Sequence, residues 1–361
     1  MQTQRISKRQ ALLIAVTTVV GGVQHPLFRD LILWSGNGAW AAIILVTLAS
    51  LAIFFLALNL AKRFPRQSIA TYLPKIWGKT LGYPLVMLML AGFFFKAAYI
   101  LRHVSEFFVA SVLPETPISA VMVVLLLVSA AGILAELEGL VRFNELVFPV
   151  ITISFAWVLI ASIPRFSGWE LLPLFDKGLS GLPRAFLISL AYPINLALIL
   201  FIFPLISDQD GITRETMKIL TVAGVFGLAI HLNILLTLGA ALGGSFTWPY
   251  LAVVENTPLG PERSEAIFMV VWMLAAFVSI SLFLYVVALG LHQLFPRIKR
   301  SWAGLALLPL AAYVALTSDN QPTAVVSHLI TNRYSLIALA GIPLLSLAVA
   351  TIRGCKEEMH E

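Results

Sequence analysis

Long apolar runs alternate with short polar joints along nearly the whole chain. Seven runs contain no Asp, Glu, Lys or Arg: Ala39–Ala61, Ile118–Ala135, Leu146–Pro164, Ala185–Ser207, Ile219–Leu242, Ala266–Leu291 and Tyr334–Ile352. A helix of about 20 apolar residues crosses a hydrocarbon core of about 30 Å. Trp302–Ser318 is short at seventeen residues and would span if slightly extended. Two further runs carry polar interruptions: Gln10–Trp34, with Gly21-Gly22 and His25, and Thr80–Val112, with Lys96, Arg102, His103 and Glu106. The pattern therefore predicts ten membrane-spanning helices in one domain over residues 1–361, with about 10–352 embedded. An even number of crossings puts both termini on one side.

Composition agrees. Of the 361 residues, 59% are hydrophobic and 12% charged, and the mean hydropathy is +0.92. Soluble domains carry about 25% charged residues, so this chain lacks the charge to cover a water-facing surface. Helices satisfy their own backbone hydrogen bonds in lipid, which makes an all-α polytopic membrane protein the expected class. The net charge of +6 forms no basic cluster that would grip nucleic acid. The single cysteine, Cys355, cannot form an internal disulfide; its reading is incidental, with palmitoylation the alternative. No cleavable signal peptide is apparent.

Basic residues orient the spans. With the N-terminus inside, sixteen Lys and Arg fall in inner segments and six in outer ones, so both termini are expected in the cytoplasm. Longer loops are Lys62–Lys79 inside and Arg165–Arg184, Gly243–Glu265 and Asp319–Arg333 outside. Glu136, Glu138, Arg142 and Glu145 form a charged cytoplasmic turn.

Polar groups inside the spans are the candidates for function. In the first span, Gly21, Gly22, Val23 and Gln24 precede His25-Pro26, and paired glycines with a proline disfavour a continuous helix. Either the break holds a ligand at half-helix ends or the small residues serve tight helix packing. The sixth span carries Ser189, Tyr192, Pro193 and Asn195; the proline should free the carbonyl near Ser189, as a binding site or as an ordinary kink. Lys96, Tyr99, His103 and Glu106 share one face of the third span, and Arg102 can pair with Glu106 at the outer rim. Lys96 lies past mid-depth and needs a partner or a wet cavity, which makes Lys96 and Tyr99 possible cavity or coupling residues. His231 reads as a neutral histidine hydrogen-bonded between helices, with a proton relay as the alternative. Ser279 and Ser281 read as backbone-bonded serines, with cation coordination as the alternative. No metal-ligand spacing occurs. Nucleotide-binding, zinc-protease, dinucleotide and nucleophile-elbow motifs are absent, so neither an enzyme nor a cofactor is expected, and any transport would be secondary or passive.

The segments Ile6-Ser7-Lys8-Arg9-Gln10 before Gly21-Gly22 and Pro26, Ala39-Trp40, Arg142-Phe143-Asn144-Glu145-Leu146-Val147-Phe148-Pro149, and Ala191-Tyr192-Pro193 to Phe203-Pro204 resemble spore germination receptor B-subunits. The resemblance covers nearly the whole chain. It implies the amino acid, polyamine and organocation transporter superfamily, with a five-plus-five inverted repeat and discontinuous helices 1 and 6; no repeat is visible in the sequence itself. It implies a nutrient ligand such as an amino acid, bound between Gly21, Gly22, Val23 and Gln24 on one side and Tyr192, Pro193 and Asn195 on the other. It further implies residence in the endospore inner membrane beside a soluble-domain membrane subunit and a lipoprotein. Two positions depart from the family pattern: Gly38 and Asn195 stand where acids are common, which puts the partner of a ligand ammonium in doubt. Three readings follow: a receptor subunit, a proton- or sodium-coupled amino acid transporter, and a non-sensing membrane scaffold.

Overall fold

The computed structural model describes residues 5–23, 26–257, 264–317 and 333–357. Among these residues the only extended pairing is a single bridge between Ile6 and Ile206; the rest is helix and connecting turn. The first span is divided into α1 (Lys8–Val23) and α2 (Pro26–Ser35). Then follow α3 (Ala39–Ala61), a short α4 (Ile69–Trp77), α5 (Lys79–Ser111), α6 (Ile118–Leu134) and α7 (Glu136–Ala161). The sixth span comprises α8 (Leu182–Leu190), a 3-10 segment (Pro193–Leu198), α9 (Ile199–Ile202) and a 3-10 turn (Phe203–Leu205). The chain continues with α10 (Ile212–Ser245), α11 (Pro249–Glu255), α12 (Ser264–Leu294) and α13 (Arg300–Leu316), then a π-helical turn (Leu336–Gly341) leading into α14 (Ile342–Ile352).

Seven helical segments among the described residues are long and apolar enough to cross a membrane, and α6 and α13 are shorter apolar helices. The protein is a multi-pass membrane protein. Span limits follow the apolar runs closely: α3 coincides with Ala39–Ala61, whereas α7 begins ten residues before its apolar run, inside the charged turn. There Glu136 and Glu138 sit in its first turn, where carboxylates favour a helix N-terminus.

The core is built around α12, which is apolar on every face. Ala275, Ile280, Phe283 and Val286 are fully buried, and α12 packs against α1, α5, α6, α7 and α13. A helix hydrophobic all round needs protein or lipid on all sides. The outer helices show the complementary pattern: Leu127, Ile153 and Val222 are about two-thirds exposed, as lipid-facing side chains would be.

Contacts between loops sort the chain into two ends. At one end Lys8 pairs with Asp208 at 2.6 Å, and Gln10 donates to Glu145 at 3.1 Å. Ser68 donates to Gln293, Gln67 to Glu357, and Arg300 pairs with Glu136. At the other end the Asn37 amide donates to Asp176, Lys177 donates to the Leu33 carbonyl, and the Arg184 guanidinium stacks on Trp34. Residues 6 and 357 lie at the first of these ends, where Ile6 bonds Leu205 and Ser207, Glu357 bonds Arg63, and Gln209 reaches the Pro65 carbonyl.

Candidate functional site

The first span is interrupted, but not at the glycines. α1 remains helical through Gly21 and Gly22 to Val23, and Pro26 opens α2, a position that needs no N–H. Gln24 lies outside the described residues. Gly21 has a packing role: a Cβ there would meet Ser279 Oγ and come within 2.6 Å of the Ala275 carbonyl oxygen. The missing side chain lets α1 cross close to α12. Ser279 donates to the Ala275 carbonyl at 2.7 Å and lies 3.4 Å from that of Thr17, so it is a backbone-bonded serine at this crossing.

The sixth span breaks at its proline. α8 ends at Leu190, and the chain then tightens from α to 3-10 geometry over Pro193–Leu198. The Ser189 carbonyl, expected to be left over by Pro193, instead accepts from the Tyr192 amide at 3.2 Å. The Asn195 amide, which an α-helix would aim at Ala191, bonds Tyr192 O at 3.1 Å. The carbonyl displaced from the helix ladder is therefore that of Ala191. Lys96 Nζ, from α5, donates to it at 3.1 Å and stands 5.3 Å from the centre of the Tyr192 ring. This is the partner that an intramembrane ammonium requires, and it sits at the carbonyl end of a half-helix, where the helix dipole favours a cation. Ser189 donates its hydroxyl to Ala185 O, within its own helix. Asn195 is 1% exposed, and its Oδ1 has no hydrogen-bond donor among the described residues.

The two interruptions are neighbours. α1 packs on the Pro193–Leu198 segment and α2 packs on α8. The shared face read on α5 also holds: Lys96 lies at the break, the Tyr99 and His103 rings are 4.2 Å apart, and Arg102 pairs with Glu106 at 2.6 Å while reaching the Ala315 carbonyl. Tyr99 neighbours Tyr192 across the break. Sequence reasoning missed Asp30, on α2, whose carboxylate interacts with Arg29, Arg184 and Tyr99. The available signal was an acid inside a span.

Other residues fall elsewhere. His231 is fully buried and stacks on Phe28 with ring centres 5.9 Å apart, but neither ring nitrogen has a hydrogen-bond partner among the described residues. The expected inter-helix hydrogen bond is thus replaced by ring packing within an apolar cluster. Its neighbour Asn233 donates to Ser162. Ser281 faces Gly132 of α6, away from the break, and is not backbone-bonded as expected: its hydroxyl has no partner among the described residues. No group of three His, Cys, Asp or Glu side chains that could hold a metal occurs among the described residues.

Two adjacent interrupted helices braced on an apolar central helix define a transporter-like membrane bundle. The fold is shared with an L-phenylalanine-bound structure of MhsT, at a TM-score of 0.75 and 16% identity, covering 99% of this chain and 91% of that one. It is shared also with a substrate-bound, outward-open sodium-coupled sialic acid symporter, at 0.68 and 14%, covering 95% and 79%. A family profile described as "Spore germination protein" matches residues 5–324, and the chain belongs to that family. Spore germination protein KB of Bacillus subtilis is 25% identical over 87% of this chain and 86% of its own length. Spore germination protein YndE of the same organism is 21% identical over 97% and 98%.

Proposed function

We propose that this chain is the integral membrane subunit of a spore nutrient-germinant receptor, binding a small nutrient such as an amino acid between the interrupted first and sixth spans to trigger germination. The observation that carries the reading is the junction itself. There the Ala191 carbonyl is turned out of its helix toward Lys96, and the buried Asn195 Oδ1 lacks a donor among the described residues. Buried polar atoms of this kind are costly unless something meets them. In this reading the α2 amides attract a ligand carboxylate, and Asn195 accepts from its amino group. The chain crosses the endospore inner membrane ten times in a five-plus-five arrangement, with cytoplasmic termini. It assembles with a soluble-domain membrane subunit and a lipoprotein.

Ligand binding to the purified protein across a panel of amino acids and sugars tests the reading. Asn195→Leu should weaken binding at least tenfold while membrane abundance is kept. An equal loss of abundance would mark Asn195 as a packing residue. The fold shared with a sodium-coupled symporter favours one second reading, a secondary amino acid transporter. Uptake of a bound amino acid into vesicles by the isolated chain would select it; copurification with the two other subunits and no uptake would select the receptor.

A further inference from the structure

We infer that the face around α4 is a docking surface for the headgroup of an anionic phospholipid. Two stretches far apart in sequence build it. Residues 62–79 carry five cations and no acid, and residues 353–357 add Arg353, Lys356 and the acid Glu357. The fold fastens the second stretch onto the first. The Glu357 amide donates to the Arg63 carbonyl at 2.8 Å, and the Glu357 carboxylate accepts from the Arg66 amide at 3.0 Å and from Gln67 Nε2 at 2.9 Å. Arg353 donates to the Ile76 carbonyl at 2.6 Å, and Trp77 donates to Ser346 Oγ at 2.9 Å. The cations of both stretches thus gather round one acid, whose carboxylate is already occupied by amide donors.

None of these cations has an ion-pair partner among the described residues, although others at this end do: Lys8 pairs with Asp208, Lys218 with Glu215, Arg142 with Glu138 and Arg300 with Glu136. Gln209 brings Asp208 and Asp210 near Pro65, but Asp208 is held by Lys8. The level of the exposed cations names the partner. Lys62 follows the last residue of α3, Lys79 opens α5 just before the exposed Leu81 and Tyr83, and Arg353 follows Ile352, which is 86% exposed. They stand where lipid-facing apolar helices end, which is the depth of the lipid phosphates. Anionic headgroups attract cations there. α4 turns Tyr72, Leu73 and Ile76 into the bundle and leaves Lys75 outside, so it offers charge to the lipid and not an apolar side. A guanidinium has five donors, so Arg353 can hold Ile76 and a phosphate together. A zwitterionic headgroup carries its own ammonium and gains less from this face.

The test measures, by native mass spectrometry, the lipid that the full-length purified chain retains from micelles holding equal phosphatidylglycerol and phosphatidylcholine. The wild type should favour the anionic lipid by about tenfold, and by less as salt rises. Lys75→Gln, Lys79→Gln and Lys356→Gln together should cut that preference about fivefold or more, and the same three positions changed to Arg should keep it. If the Gln triple does not fold, Lys356→Gln alone should lower the preference about twofold or more. Arg214→Gln, Arg297→Gln and Lys299→Gln remove equal charge outside the face and should leave the preference within about twofold. Equal losses in the two Gln triples would reduce the face to diffuse surface charge and overturn the inference. Unchanged preference in the first triple, or displacement of the lipid by inorganic phosphate, would overturn it too.

Discussion

Lys96 of α5 donates to the carbonyl oxygen of Ala191, at the point where the sixth span leaves α-helical geometry. The contact ties an ammonium to the carbonyl end of α8, and both groups are buried. Removing the ammonium strands the carbonyl. Leaving a buried acceptor unsatisfied costs about 1–3 kcal/mol, so Lys96→Met should lower the thermal unfolding midpoint in detergent. Lys96→Arg should recover most of the loss, because a guanidinium can donate to the same oxygen. Equal midpoints for Lys96→Met and wild type would show that the break holds itself.

Gly21 should tolerate no side chain. Its Cβ position is already taken by Ser279 and by the Ala275 backbone, and backbone cannot swing aside as a flexible side chain can. Gly21→Ala should destabilise by about 1–3 kcal/mol, as overpacking does, and Ser279→Ala should return only part of it, since the Ala275 carbonyl stays. Thermal unfolding of the two single variants and the double variant measures this.

His231 makes the opposite forecast. A ring with no hydrogen-bond partner among the described residues contributes packing alone, so His231→Phe should leave stability unchanged or raised. Ligand binding should be unaffected. A loss of uptake or response in a variant of normal stability would restore the proton-relay reading.

The Lys8–Asp208 pair joins the start of α1 to the turn after the sixth span, and it should show in the pH dependence of stability. The Lys8 hydrogen bond holds the Asp208 carboxyl below its ordinary value of 3.8, so its stabilisation is present above that value and lost as pH falls through the lowered one. Asp208 in turn raises Lys8 above 10.5; that contribution is present below 10.5 and lost as pH rises through the raised value. Both groups face solvent, so the effect is small and falls with salt. Asp208→Asn should flatten the acid limb of the unfolding midpoint measured against pH at low ionic strength.

Much of this architecture was legible in the sequence because lipid imposes simple demands. Charge-free runs marked spans such as α3 to the residue, and basic residues sorted the loops that the structure ties together at each end. The i, i+4 spacing gave the Arg102–Glu106 pair directly. The site was legible only by neighbourhood. Gly21-Gly22 flagged the right span, but Gly21 answers to α12, a helix more than two hundred residues away that no local pattern could reveal. Pro193 flagged the right turn but not the right carbonyl, because the tightening to 3-10 geometry passes the displaced acceptor from Ser189 to Ala191. The partner of Lys96 was hidden for the same reason, and Asp30, inside the Gln10–Trp34 run, was not singled out.

The loop ties around Ile6 and Glu357 have a practical consequence for rebuilding the chain. Ile6 lies against Leu205–Ser207, Glu357 against Arg63–Gln67, and Gln209 reaches the Pro65 carbonyl between them. The two ends of the folded chain are therefore near enough for a flexible linker to join. A circular permutant opened at Gly178, in an exposed turn on the opposite end, would carry its new ends across the membrane. It would present a fused reporter at the end of the bundle away from Ile6 and Glu357.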